Sequence, residues 1–350
     1  MSRVPTFAAA RALPLPDQPL AYELVLPVLG IPVRFEADAA LLRDGIERTF
    51  GAWRTAARLA EAFSSPLPPV QPRVVLRLAD DDEPATPAQL AAEVEEGRRL
   101  LLAGAGLDGW AELDRIAAVA RVAPRFAADA DRLRDALATL TLFLVTRLDR
   151  EPVHAAAVGL GTAGLVFAGP SGTGKSTLAY AAHRAGLRVL SDDAVYVQLR
   201  PRCRVWGMAG PIHLSPTAIA HFPELAGAPV TLRPNGKRKI AVPAAQPGIF
   251  ALGPEPPVFE RTGLCLLERG ADDVALEAIP VDAAVEQVAS NLDPGFDLFR
   301  DSIAHRIRAL AAGGAWRLRL SPDPNAAIPR IREMLAALAG APTAEPPGDD

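Results

Sequence analysis

Cysteines, lysines and long apolar runs are scarce in this sequence, and each scarcity narrows what the protein can be. Cys203 and Cys265 are the only two cysteines among 350 residues. They are too few and too far apart in sequence for a disulfide scaffold or a zinc site, so a reducing compartment fits best. Hydrophobic residues make up 49% of the chain and charged residues 22%, which is typical of a soluble globular protein. The formal charge of −4 argues against a general nucleic-acid binder.

No apolar run reaches the ~20 residues that a membrane-spanning helix needs. The longest candidate, 155–168, is interrupted by glycines. Residues 1–16 carry prolines and arginines where a secretory signal needs an unbroken apolar core. We therefore predict a cytoplasmic protein with neither a membrane nor a nucleic acid as its partner.

The 37 lysine and arginine residues include only three lysines, so the other 34 are arginine. One lysine, Lys175, lies in a glycine-rich loop, and the other two flank an arginine in the turn Lys237-Arg238-Lys239. Lysine carries a compact, mobile charge that arginine does not offer. We therefore predict that Lys237, Arg238 and Lys239 contact phosphate or substrate, with a solvated hairpin tip as the equally weighted alternative.

Residues 169–176, GPSGTGKS, form a complete phosphate-binding loop that follows the apolar run 164–168. Its glycines allow successive backbone N–H groups to surround phosphate oxygens, and the helix that opens at Lys175 adds the positive end of its dipole. In this motif the lysine reaches the terminal phosphates and Ser176 places its hydroxyl on magnesium, so ATP and Mg²⁺ are the predicted cofactors. The predicted nucleotide-binding residues are Gly169, Ser171, Gly172, Thr173, Gly174, Lys175, Ser176 and Thr177.

An aspartate pair, Asp192-Asp193, follows a short predicted strand at 187–191. If that strand lies beside the strand before the phosphate loop in a parallel sheet, both carboxylates face the bound phosphates. One carboxylate can take the proton of an attacking hydroxyl while its neighbour holds magnesium. We favour Asp192 as the base and Asp193 as the metal-side carboxylate. A helix-capping or turn aspartate pair is the alternative.

His154, the GPSGTGKS loop and Ser191-Asp192-Asp193 resemble, in order and spacing, the catalytic domain of HPr kinase/phosphorylase. The resemblance covers 151–245 well and the remainder to 320 loosely. It implies a P-loop fold related to phosphoenolpyruvate carboxykinase, and transfer of the γ-phosphoryl group of ATP to a serine of a protein or peptide. It also implies a catalytic role for His154, near the transferred phosphate. The N-terminal half matches very little, which favours the HPr-kinase-related branch that includes modifiers of lasso-peptide precursors.

Two departures from that family leave other functions open. Thr177 stands where the family's loop continues with an acidic residue, and the family's glutamate-bearing signature has no counterpart in 205–211. One metal ligand and the reverse, phosphorolytic reaction therefore stay open. The alternatives are a P-loop ATPase or switch protein, for which the sequence lacks an LSGGQ segment and an NKxD motif, and a nucleotide-binding regulatory module without transfer activity.

The predicted architecture is an α/β fold: an irregular lead-in at 1–18, an N-terminal α+β domain at 19–150, a P-loop catalytic domain at 151–339 and a disordered tail at 340–350. Helical periodicity predicts helices over 39–63 and 129–148. Signals conflict between 89 and 122, where the glutamates at 93–96 favour a helix and 100–105 and 116–122 look like strands. The catalytic domain is predicted to contain strands at 152–158, 163–168, 187–191, 263–268 and 315–320. A homo-oligomer is compatible with the sequence.

Overall fold

The computed structural model describes residues 7–51, 53–54, 70–79, 90–104, 106–208, 210–232, 237–243, 258–270, 272–292 and 296–340. The chain divides into two compact units, Met1–Leu148 and Asp149–Asp350. Helices and several sheets make it a mixed α/β protein, in agreement with the predicted class. The two predicted domains, as separate functional parts, stay a prediction. The predicted disordered tail lies almost wholly outside the described residues.

The first unit contains strands β1 (Tyr22–Val28), β2 (Ile31–Ala37), β3 (Arg73–Leu78), β4 (Ala91–Glu95), β5 (Arg99–Gly104), β6 (Leu107–Glu112) and β7 (Ala117–Val122). Its helices are α1 (Ala8–Ala12), α2 (Ala40–Phe50), α3 (Pro124–Ala128) and α4 (Ala130–Val145). Within the described residues these strands form one sheet in the order β1-β2-β3-β7-β6-β5-β4. Of the helix predicted over 39–63, α2 accounts for the first part, and 55–69 lie outside the described residues.

The segment with conflicting signals forms the antiparallel strands β4 to β7, paired in chain order. Residues 100–103 of β5 are all buried, and the sheet is covered on both faces. On one face the Nε1–H of Trp110 donates to the carbonyl of Leu13 at 2.9 Å. On the other, α4 packs on β6 and β7. The strand signals are confirmed by β5 and β7, whereas the helix signal at 93–96 falls on β4, whose residues are exposed or half-buried. Glutamate favours helices and is depleted in strands, which explains the conflict.

The second unit contains strands β8 (Glu151–Val153), β9 (Ala155–Leu160), β10 (Ala163–Ala168), β11 (Arg188–Ser191), β12 (Val195–Gln198), β13 (Arg204–Gly207), β14 (Ile212–Leu214), β15 (Val230–Leu232), β16 (Arg238–Val242), β17 (Val258–Phe259), β18 (Arg261–Arg269), β19 (Ala275–Ala278) and β20 (Ala315–Leu320). Its α-helices are α5 (Lys175–Arg184), α6 (Val281–Ala289), α7 (Ile303–Leu310) and α8 (Ile328–Gly340). Short 3₁₀ helices span Pro216–Ala220, Pro223–Leu225, Asp297–Ser302 and Pro324–Ala327.

In the described part of this unit the strands form three sheets, of orders β11-β9-β10-β18-β20-β19, β17-β13-β12-β8 and β14-β16-β15. The strand before the phosphate loop, β10, pairs in parallel with β18 but antiparallel with β9. Next to β9 lies β11, also antiparallel. The condition that the strand before the aspartate pair lies beside β10 is therefore not met. Two reversals nevertheless leave β11 parallel to β10, so both strands end at the same edge of the sheet.

Both faces of the six-stranded sheet are packed against helices. Along β9, Ala156 and Val158 belong to the core that contains α5 and α8. Ala155 and Ala157 belong to the opposite core, together with residues of α6 and α7. Alternate residues of a strand point to opposite faces, so a strand in this position must be apolar throughout. This explains the continuous apolar run that leads into the phosphate loop.

None of the described helices is both long enough and apolar enough to cross a membrane.

The close pairing of β9 with β10 generates a test of stability. A Cβ added at Gly159 would lie 2.3 Å from the carbonyl oxygen of Ala163 and 2.4 Å from Cε1 of Phe259. We expect Gly159→Ala to lower the free energy of unfolding by about 1–3 kcal/mol, as overpacking does. The control, Gly340→Ala, meets nothing within 4 Å. Urea unfolding followed by tryptophan fluorescence measures both, and equal stabilities of the two variants would contradict the prediction.

Candidate functional site

The phosphate loop has the backbone that its sequence predicts. Gly172 and Gly174 take φ values of +90° and +106°, which residues with a side chain adopt only under strain. The helix α5 begins directly afterwards at Lys175, whose Nζ donates to the carbonyl of Gly169 at 2.6 Å and to that of Pro170 at 3.3 Å. The loop thus wraps around a buried ammonium group at the N-terminus of a helix, where an anion is favoured.

Asp192 lies immediately beyond the end of β11 and connects three elements. Its carboxylate Oδ2 accepts from the backbone N–H of His213 on β14 at 2.8 Å. Its backbone carbonyl accepts from Ser176 Oγ on α5 at 3.4 Å. Burial, opposed by the His213 hydrogen bond and reinforced by the charge of Asp193, raises the pKa of Asp192 to about 6. The carboxylate is ionised at neutral pH yet holds a proton more readily than an exposed aspartate, which suits a general base.

Asp193 is exposed and faces His154. Asp193 lies in the segment between β11 and β12, whereas His154 is the single residue between β8 and β9. The Nε2 atom of His154 lies 3.4 Å from Asp193 Oδ1. The hydrogen bond from His154 holds the pKa of Asp193 below its usual value, and the charge of Lys175 acts in the same direction. The His154 ring stacks on Phe296 with centroids 5.3 Å apart. The imidazole is therefore held between an aromatic ring and a carboxylate.

Two of the three residues of the basic turn reach the candidate site. Lys237 Nζ donates to Ser171 Oγ at 2.7 Å, and Lys239 Nζ donates to the carbonyl of His213 at 3.3 Å. Arg238, between them, is exposed and is not part of the cavity lining. Alternate residues of an extended strand point in opposite directions, so the run of three cations brings two of them to the site.

These side chains surround one open cavity of about 650 Å³. Its lining comprises His154, Ser171, Gly172, Gly174, Lys175, Ser176, Thr177, Asp192, Asp193, His213, Ser215, Thr217, Lys237, Lys239, Arg269 and Phe296. Of the predicted nucleotide-binding residues, Gly169 and Thr173 are outside this lining. Thr173 instead stabilises the loop, since its Oγ1 donates to the carbonyl of Pro170 at 2.8 Å. The cavity brings a phosphate loop and two carboxylates within one space, with cations around it.

The cavity also contains residues that sequence reasoning missed. Arg269 is the last residue of β18, the parallel neighbour of β10. The rule that strand ends share one crevice would have identified it, had it been applied beyond Asp192 and Asp193. His213 lies on β14, in another sheet, and nothing in the local sequence signals that β14 crosses the site.

The donor atoms present fit magnesium bound together with phosphates. Among the described residues no group of three or more His, Cys, Asp or Glu side chains could hold a metal ion. Mg²⁺ is usually held by one or two carboxylates together with substrate phosphates and water, without an all-protein cage. Ser176 and the exposed Asp193, which both line the cavity, supply such a partial donor set.

Comparisons with known proteins add little to this geometry. No protein-family model matches the chain, and no curated protein matches it. A solved structure of an HPr(Ser) kinase/phosphatase from Coxiella burnetii is similar at a TM-score of 0.25 and 10% sequence identity, covering 53% of this chain and 94% of that chain. A TM-score this low carries no argument for fold or activity, so the site rests on its own residues.

The raised pKa of Asp192 predicts an effect of pH on stability. Its ordinary value is 3.8 and its folded value about 6, so the folded protein binds this proton more tightly than the unfolded chain. The resulting stabilisation is fully present below about pH 4 and is lost as the pH rises through about 6. The difference between these two pKa values corresponds to about 3 kcal/mol of stability. Without nucleotide or Mg²⁺, we therefore expect Asp192→Asn to be more stable than wild type near pH 8, by up to that amount, and nearly equal near pH 4.

Urea unfolding at both pH values, in a buffer containing a chelator, measures this difference. The matched control is Asp282→Asn, because the Asp282 side chain is 84% exposed. An advantage for Asp192→Asn that is the same at both pH values, or that the control shares, would refute the linkage.

Proposed function

We propose that this protein is an ATP- and magnesium-dependent kinase that transfers the γ-phosphoryl group to a hydroxyl, a serine of a protein or peptide. One observation carries the proposal: a single cavity is lined by a phosphate loop with its lysine and, beside it, by a buried and an exposed carboxylate. An anion-binding loop alone serves many proteins. A carboxylate beside the loop, able to accept a hydroxyl proton, is what phosphoryl transfer to an alcohol requires.

Each residue has a role in this transfer. The acceptor oxygen forms a bond to the γ-phosphorus as the bond from that phosphorus to the bridging oxygen of ADP breaks. The hydroxyl proton passes to Asp192, leaving phosphoserine and ADP. Lys175 and His154 orient the phosphoryl group, and Ser176 with Asp193 would hold magnesium. When bound, magnesium neutralises charge on the β- and γ-phosphates, and the remaining catalysis is positioning and charge stabilisation.

The sequence resemblance supports a more specific proposal for the fold type and the substrate. The order of His154, the loop and the aspartate pair supports a catalytic domain of the HPr kinase and phosphoenolpyruvate carboxykinase type. The weak match of the N-terminal half supports the peptide-modifying, lasso-peptide-type branch over HPr itself as substrate. Lys237 and Lys239 are suited to steady the acceptor, because both line the cavity. We propose that the protein acts in the cytoplasm, where its two free cysteines stay reduced.

A transfer assay with γ-labelled ATP and magnesium tests the proposal. The acceptors are the peptides and small proteins encoded beside this protein, and the enzymes compared are wild type, Asp192→Asn and the exposed control Asp282→Asn. We expect labelled serine with wild type and the control, and its loss with Asp192→Asn. Released phosphate without a labelled acceptor would instead indicate an ATPase, and bound but unchanged ATP a regulatory module.

A second prediction concerns the lysine of the loop. We expect Lys175→Ala to lower the transfer rate by about 100-fold or more, because it removes a charge aimed at the transferring phosphate. The fold should survive, since the hydrogen bonds from Lys175 to Gly169 and Pro170 go to its own loop and the lysine belongs to neither apolar core. Steady-state kinetics and thermal melting measure the two effects. A variant that keeps wild-type activity, or that loses activity only because it unfolds, would contradict this role.

A further inference from the structure

A second cavity, of about 170 Å³, adjoins the phosphate loop. Gly174, Thr177 and Arg269 line both this cavity and the main one. The two spaces therefore meet at the beginning of α5, where the phosphate loop becomes a helix. Neither Asp192 nor Asp193 lines the second cavity, so it extends from the phosphates away from the carboxylates.

The lining of this second cavity suits a flat ring with a few polar groups. Four of its side chains are apolar: Leu178, Leu320, Pro322 and Pro324. His221 and Ser321 add polar atoms. Small-molecule sites commonly combine apolar walls with a small number of polar groups. Among the described residues of this lining there is no carboxylate, so the aspartate pair that lines the main cavity has no counterpart here.

Arg269 lines both the second cavity and the main one. A Cβ built on Gly174 would lie 3.5 Å from Arg269 Nη2 and 3.5 Å from Leu320 Cδ1, so the guanidinium lies against the loop and close to the apolar wall. Within the described residues it forms no ion pair. A guanidinium can stack on a ring with its face and pair with phosphate oxygens through its edge, and its place between the two cavities suits both.

Another cleft also adjoins the loop, beside His154, Gly169 and Phe296, but its volume is only about 30 Å³. A water needs roughly 10–15 Å³ of such space, so this cleft holds about two or three waters and the second cavity on the order of ten. A group of several atoms attached to the phosphates has room in the second cavity and none in the cleft.

We infer that the second cavity holds the nucleoside of the nucleotide whose phosphates occupy the main cavity. The inference rests on the proposed function, because that function makes the ligand a nucleotide. It gives the ligand a direction: the base lies against Leu320 and Pro322, Arg269 lies between base and phosphates, and the terminal phosphate points toward Asp192 and His154.

Calorimetric titration with Mg-ATP and with Mg-tripolyphosphate tests this inference, because tripolyphosphate has the phosphates without the nucleoside. Ser321→Trp places an indole in the second cavity. We expect it to weaken ATP binding by about tenfold or more, a loss of at least ~1.4 kcal/mol, and to leave tripolyphosphate binding within about twofold. Ala326→Trp adds the same indole to an exposed position on the neighbouring 3₁₀ helix, outside the lining, and should change neither affinity.

Should Ser321→Trp fail to fold by thermal melting, His221→Ala removes a polar wall of the same cavity and should weaken ATP binding alone. If the folded variant weakens both ligands equally, or neither, the nucleoside lies elsewhere and the inference is overturned while the proposed function stands. If wild type binds neither ligand, the proposed function fails, and the inference with it.

Discussion

The buried carboxylate of Asp192 is the constraint on which the site depends. One of its oxygens accepts from the backbone of β14, and its own carbonyl accepts from Ser176 on α5. Through these two contacts the end of β11, the phosphate-loop helix and the three-stranded sheet that carries the basic turn are held around one cavity. Burying this charge costs stability at neutral pH, and perturbed carboxylates of this kind cluster at functional sites. The apolar packing on both faces of the central sheet offsets that cost.

The parts that local sequence determines could be predicted closely. The range of β10 agrees residue for residue, and α5 begins at Lys175 as the loop motif requires. Glycines at positive φ, an apolar strand and a helix start are all short-range features, so the chain within about twenty residues specifies them. The place of the aspartate pair directly after a strand could be predicted for the same reason, because a strand end can be recognised from the residues that precede it.

The features that the sequence did not predict depend on pairing between distant segments of the chain. The intervention of β9 between β10 and β11 is a matter of sheet order, which strand composition does not encode. His213 is at the site only because β14 crosses it, and Arg269 only because β18 is the parallel neighbour of β10. In the first unit, the glutamates at 93–96 favoured a helix, yet they fall on β4, the strand at the edge of its sheet. There the pairing with β5 decides the type of element against the local preference of glutamate for helices.

We propose that the loop holds the phosphates of a nucleotide whose terminal phosphate faces Asp192. A crystal structure with Mg²⁺ and a non-hydrolysable ATP analogue tests this placement. We expect the β- and γ-phosphates within the backbone N–H groups of 172–176, with the γ-phosphate on the side of Asp192 and His154. An analogue bound with its γ-phosphate turned away from both side chains, or bound outside the loop, would contradict it.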